Sequence, residues 1–294
     1  MGYQLWISPT TGYRRRGTTF AELKALLEAG LTTDSISEPL RCCNPDDDAS
    51  EVCTELNRLD FDVVGVKDSA TQQVIGWIKK GSLTEGKCGQ HLLHFETHQL
   101  VSGSSPLVEI IRVLADHERV YVVVRRGVSG IVTRGDLRKP PVRLLVFGLI
   151  SLLEMHLTFW VGELFPDKNW QSSLSPARLE KMSKLLKNRI ERLENISDID
   201  CLQLCDKRAI LTKSEEARTV LGLDKKNAVV TLKSIEHLRD CVAHSQPDFI
   251  GSSGWAGLAK TVDQIERILE ASEAALNARV AASTTVPPRL NATN

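Results

Sequence analysis

Late in the chain, the stretch EHLRDCVAHSQP at 236–247 sets Arg239, Asp240 and His244 close together in sequence. An imidazole titrates near neutral pH and serves as a general acid or base. A guanidinium stabilises charge that develops on phosphoryl oxygens, and an adjacent carboxylate can orient either group. A second set lies in GIVTRGDL at 130–137, where the Thr133 hydroxyl precedes the Asp136 carboxylate by three residues, with Arg134 between them. A carboxylate accepts two sugar hydroxyls, a helix start favours a phosphate, and Arg134 supplies a counter-charge. Each set also has a purely structural reading. Thr133 and Asp136 can cap a terminal helix, and the later trio can form a helix-end salt bridge.

The first half must position Thr133 and Asp136, and it contains an internal repeat. Residues 44–83 and 101–137 share one order of elements. Each copy opens on a cap, Asp48-Ala49-Ser50 or Ser104-Ser105-Pro106. A helix follows, carrying Val52, Leu56 and Leu59 in one copy and Leu107, Ile110, Ile111 and Leu114 in the other. Apolar strands come next: Val63–Val66 then Val74–Ile78, and Val120–Val124 then Gly130–Val132. In the first copy Lys79 and Ser82 stand where Thr133 and Asp136 stand in the second, so one ligand site per chain is expected.

Consecutive prolines at 140–141 are read as a boundary, since neither continues a helix nor donates to a sheet. Helical spacing takes over beyond them, with candidate helices at 142–164, 175–193, 198–221, 226–243 and 255–278. The second of these carries an apolar stripe of Leu179, Met182, Leu186, Ile190 and Leu193, opposite a basic face that includes Lys181, Lys184 and Lys187. Arg239 and His244 fall near the C-terminal end of the fourth helix, where the helix dipole favours cations. On an ideal helix they point roughly 140° apart. They converge only if the helix loosens near 242–244, or if a second chain contributes.

The repeat resembles a pair of CBS domains (a Bateman module) over residues 30–139. The resemblance implies an adenine nucleotide whose ribose is held by Thr133 and Asp136, with Arg134 nearby. The second half, 142–280, resembles HEPN domains through Arg239-Asp240-x3-His244. That resemblance implies metal-independent RNA cleavage by 2′-OH attack, with no cofactor required and two chains pairing their motifs. His244 would act as acid or base, Arg239 would stabilise the phosphoryl charge, and Asp240 would orient its neighbours. Glu154, in the first helix of the bundle, would hold the arginine. The expected architecture is α+β: an arm and helix at 1–29, tandem βαββα repeats at 30–139, an all-α bundle at 142–280 and a disordered tail at 281–294. The expected function is a homodimeric, nucleotide-regulated endoribonuclease of toxin or antiviral-defence type. The alternative is a non-catalytic adenine-nucleotide sensor whose helices bind RNA or a partner protein.

Composition limits these readings. The 37 Lys and Arg match the 37 Asp and Glu, so RNA contact must come from a local patch. The seven cysteines are irregularly spaced, which argues against a zinc site or disulfide framework and for a reducing cytoplasm. The apolar stretch at 142–165 is interrupted by Glu154, His156 and Glu163. It is expected to be a buried core helix rather than a membrane span.

Overall fold

A computed structural model describes residues 5, 14–125, 127–192, 197–244 and 254–284. The chain divides into two compact units, one built on residues 27–143 and the other mainly on the helices from 144 onward.

The first unit shows the repeat as two similar half-units. In the first, β2 (Cys42–Cys43) leads into α2 (Ala49–Leu59), then β3 (Val63–Lys67) and β4 (Val74–Lys79). In the second, β5 (Leu100–Ser102) leads into α3 (Leu107–Asp116), β6 (Arg119–Val124) and β7 (Gly127–Thr133). Each short leading strand runs parallel to the first hairpin strand, Cys42 opposite Gly65 and Leu100 opposite Tyr121. A single 3-10 turn ends each copy, at Lys80–Ser82 and Arg134–Arg138, in place of the expected closing helix.

Asp48 caps α2 as its position suggests, accepting from the Ser50 and Glu51 N–H groups. The serine cap expected for α3 is corrected. Pro106 occupies the cap position and has no side-chain hydrogen bond to give, while Ser104 bonds Ser102 instead.

Alternation along the strands separates two faces. Val64, Val66 and Ile78 point into a core with Val52, Leu56, Leu83, Cys43 and Cys88. In the second copy Val120, Val122 and Val132 are buried, as are Leu107, Ile110, Ile111 and Leu114 of α3. The other strand face carries Arg119 opposite Thr133 and Tyr121 opposite Ile131. One strand crosses over: β1 (Glu38–Pro39) precedes the first copy yet pairs antiparallel with β7.

Pro140 and Pro141 form the first turn of the long helix α4 (Pro140–Leu164), and the division between the two units falls just after them, between Arg143 and Leu144. The first turn is where a missing N–H costs nothing, because that group has no intrahelical acceptor. By length and composition α4 passes for a membrane span, but 56% of its most apolar stretch is buried inside the protein. Leu149, Leu153, Leu157 and Trp160 are fully or nearly fully covered.

The expected helix at 198–221 is three pieces: a turn at Ile199–Cys201, α6 (Leu204–Leu211) and α7 (Glu215–Val220). Side-chain caps explain the breaks. Asp206 accepts from the Gln203 N–H at 3.0 Å, and Ser214 accepts from the Ala217 N–H at 3.2 Å. Both caps satisfy donors that a continuous helix would have paired internally.

Helix α5 (Pro176–Glu191) buries less of its stripe than expected. Met182 is buried, but Ile190 is 53% exposed, and Leu193 lies outside the described residues. The last two helices are α8 (Ala228–Ala243) and α9 (Gly254–Thr284). The helix before the repeat, α1, spans Phe20–Gly30. Helix α9 corrects the expected disorder from 281: the Ala-rich sequence keeps it helical through Thr284. The rest of the tail, 285–294, lies outside the described residues, as do positions 1–4 and 6–13 of the arm.

Candidate functional site

A cavity of about 950 Å³ lies within residues 38–136, walled by both copies of the repeat. The first copy contributes Cys42, Asp60–Val63 and Lys67, and β1 contributes Glu38. The second contributes Glu118, Arg119 and the run Thr133–Asp136. Thr133 reaches it because residues paired across β6 and β7 point to one face, and Thr133 pairs with Arg119.

The Thr133–Asp136 pair forms a capping box around the closing 3-10 turn. Asp136 Oδ2 accepts from the Thr133 N–H at 2.7 Å and from its hydroxyl at 2.9 Å. Oδ1 lies 2.9 Å from Lys139 Nζ, and the residue is only 8% exposed. Both sequence readings therefore describe the same atoms, since the cap presents Asp136 at the cavity wall. Arg134 lines the cavity too, but its guanidinium donates to the Leu114 and Ala115 carbonyls at 2.9 Å each. Part of its donor set is thus committed to the end of α3.

The equivalent turn in the first copy is closed by the Ser82 hydroxyl, which donates to the Lys79 carbonyl at 2.7 Å. No carboxylate stands there. Deeper on the same strand face, Trp77 and Tyr121 lie with ring centroids 5.7 Å apart. Their buried Nε1 and hydroxyl find no hydrogen-bond partner, and burial pushes the Tyr121 phenol up.

Lys139, Glu38 and Arg119 carried no sequence signal. Lys139 reaches Asp136 locally, three residues on, whereas Glu38 is brought to Lys139 by β1 pairing with β7, which no local pattern announces.

The second candidate set lies in the helical unit. Glu154 on α4 does meet Arg239 on α8: Oε1 is 3.2 Å from Arg239 Nε. The contact lies off the N–H axis, so it is a charge contact and the buried Nε keeps no hydrogen bond of its own. Arg239 Nη1 also sits 2.8 Å from Asp240 Oδ1. A third cation, unforeseen from the sequence, is Lys207 of α6. Its ammonium approaches the same Glu154, 3.4 Å from the backbone carbonyl and 4.0 Å from Oε2. Burial lowers the Lys207 pKa, and Glu154 opposes that shift.

Glu154 and Arg239 line a second cavity of about 390 Å³ together with Phe147, Leu185 and Arg189. His244 is the C-terminal cap residue of α8, exposed, with its N–H donating to the Asp240 carbonyl at 3.0 Å. Within the stretch 242–244, where loosening is one of two routes to convergence, α8 stays helical to Ala243 and leaves helical backbone only at His244. Arg239 therefore sits more than a turn inside the helix, and the residues after His244 lie outside the described set.

The seven cysteines are free thiols, and the described residues contain no cluster of three metal-ligating side chains.

Comparison with known proteins places these observations. Residues 99–141 match the family model of the CBS domain. Among solved structures, the chain is similar to CBSX2 in complex with AMP, at 18% identity and a TM-score of 0.35. That match covers 40% of this chain and 99% of the other. It is also similar to the CBS domains of a transcriptional regulator from Streptococcus pneumoniae, at 19% identity and a TM-score of 0.32, covering 37% and 97%. A third is the CBS domain of a bacterial CNNM/CorC family Mg2+ transporter in complex with ATP, at 12% identity and a TM-score of 0.32, covering 38% and 88%. None of the curated proteins matches. The matched stretch contains Thr133, Arg134 and Asp136, and the chain carries a CBS domain over residues 99–141.

Proposed function

We propose that this protein is an adenine-nucleotide sensor, with the ligand held in the cavity between the two copies of the repeat. The observation that carries this reading is the Thr133–Asp136 turn opening onto a cavity of about 950 Å³ walled by both copies. That volume suits a nucleotide. Asp136 faces the ribose hydroxyls from the cavity wall. Lys67 and Arg119 add positive charge at the wall. The helical unit would then bind RNA or a partner protein in response. Such a response requires that the nucleotide favour one state of the protein over another.

Calorimetric titration of AMP, ADP and ATP tests this reading. Wild type should bind at least one of them, and Asp136→Ala should weaken it by about tenfold or more, the loss of a charged hydrogen-bonding partner. Binding that survives the substitution undiminished would move the ligand elsewhere.

A second reading gives the helical unit a catalytic role, as a metal-independent endoribonuclease acting from a composite homodimer site. It is supported by the convergence of Glu154, Asp240 and Arg239, with His244 at the end of the same helix. Here His244 moves the proton of the attacking 2′-OH or of the leaving 5′-oxygen, and Arg239 stabilises the phosphoryl charge. Incubating labelled RNA with wild type and His244→Ala, with and without nucleotide, separates the two readings. Loss of cleavage by a factor of about 10² or more supports catalysis; equal behaviour of both proteins leaves the sensor alone.

A further inference from the structure

The Asp136 carboxylate is almost full. An ionised carboxylate offers about four lone-pair sites. Thr133 occupies two through Oδ2, at 2.7 and 2.9 Å. Lys139 Nζ occupies a third through Oδ1, at 2.9 Å. One site is left, whereas the 2′,3′-diol of a ribose brings two hydroxyls. The Lys139 ammonium has other partners: it donates to the Ile36 carbonyl at 2.7 Å and pairs with Glu38. Glu38, like Asp136, lines the cavity. Burial disfavours the Lys139 charge, but bonds to Glu38 and Asp136 outweigh it and its pKa is raised.

We propose that Lys139 is an internal placeholder that sets the sugar preference of this site. A vicinal diol seats on Asp136 only when Lys139 Nζ leaves Oδ1 and falls back on Glu38 and Ile36. A sugar with one free hydroxyl takes the vacant lone pair and displaces nothing. Lys139 therefore subtracts from the affinity of a ribonucleotide and leaves a 2′-deoxynucleotide nearly untouched. Thr133 is the less mobile of the two occupants, since one of its bonds comes from backbone. This inference rests on the nucleotide reading above.

The test uses full-length protein titrated calorimetrically with AMP and with 2′-deoxy-AMP. Lys139→Gln removes the ammonium but keeps an amide able to donate to Ile36. AMP should bind this variant about tenfold more tightly than wild type, the effect of removing one charged competitor. Binding of 2′-deoxy-AMP should change by no more than about twofold. A second variant, Glu38→Gln, weakens the fallback position and should lower AMP affinity relative to 2′-deoxy-AMP. Equal gains for both ligands in Lys139→Gln, or weaker AMP binding, would overturn the placeholder while leaving the sensor reading intact. Binding of neither ligand to any of the three proteins would overturn both.

Discussion

At the scale of single residues, His156 departs strongly from its behaviour in water. It is fully buried on α4, and Nδ1 shares a 2.7 Å hydrogen bond with the Ser272 hydroxyl of α9. The same hydroxyl accepts from Trp160 Nε1 at 2.6 Å. Glu273 lies 3.9 Å from Nε2 and would favour an imidazolium. That carboxylate is already engaged by Arg14 and by the Phe20 N–H. Burial, reinforced by the Arg14 charge, wins and lowers the His156 pKa to about 4. The unfolded chain takes up the proton near pH 6.5, before the folded protein does. The contribution of neutral His156 is therefore complete above about pH 6.5 and is lost as pH falls toward 4, by about 3 kcal/mol in all. Urea denaturation of wild type and His156→Gln at pH 7, 5.5 and 4 checks this: the difference between them should shrink on acidification. A constant difference across that range would assign the acid sensitivity to other groups.

At the scale of elements, the helical unit depends on charged clasps between helices as well as on its apolar core. Arg178 of α5 grips Asp206 of α6 with two bonds, at 2.8 and 2.6 Å. Asp206 also caps its own helix and is 4% exposed. Arg178 retains about a third of its exposure, so water screens part of the pair. Asp206→Ala should cost about 2 kcal/mol, with Asp206→Asn losing less because its amide oxygen still accepts from Gln203. Chemical denaturation of both variants measures the split, and equal losses would mean that the cap contributes little.

Elements also show which information lay in local sequence. Strands β3, β4, β6 and β7 were legible because each is an apolar run bounded by turn residues, and α2 because Asp48 announces it. The break between α6 and α7 was not. Leu204, Ile210, Leu211 and Ala217 keep helical spacing across it, so periodicity reads straight through Ser214. The prolines marked the boundary, which falls just after them, but hid the helix start: Pro-Pro forbids a helix interior and is welcome in a first turn, and composition does not separate the two.

At the scale of the whole molecule, the candidate sites were legible in proportion to how local they are. Thr133 and Asp136 stand three residues apart and close one turn, so their spacing suffices. Arg239 and Asp240 are neighbours, and Glu154 joins them only through packing of α4 against α8. Lys207 gives no sign in sequence, because a lysine becomes unusual only when buried, and what buries it is the rest of the unit. Lys139 was hidden differently: it reads as one more cation in RKPP although it stands only three residues from Asp136, and its contact with Glu38 waits on β1 returning to lie along β7.

That returning strand has a consequence for how the chain folds. Glu38 and Ile131 pair across roughly ninety residues, which makes the outermost rung of the second sheet among its most non-local contacts. The first copy must be made before the second sheet can be closed, yet its own sheet needs nothing from the second. The edge of β7 therefore stays open to pairing, including with a strand from another molecule, until the two residues of β1 cover it. The stretch of chain recognisable as a family by its sequence is shorter than the stretch that must fold together.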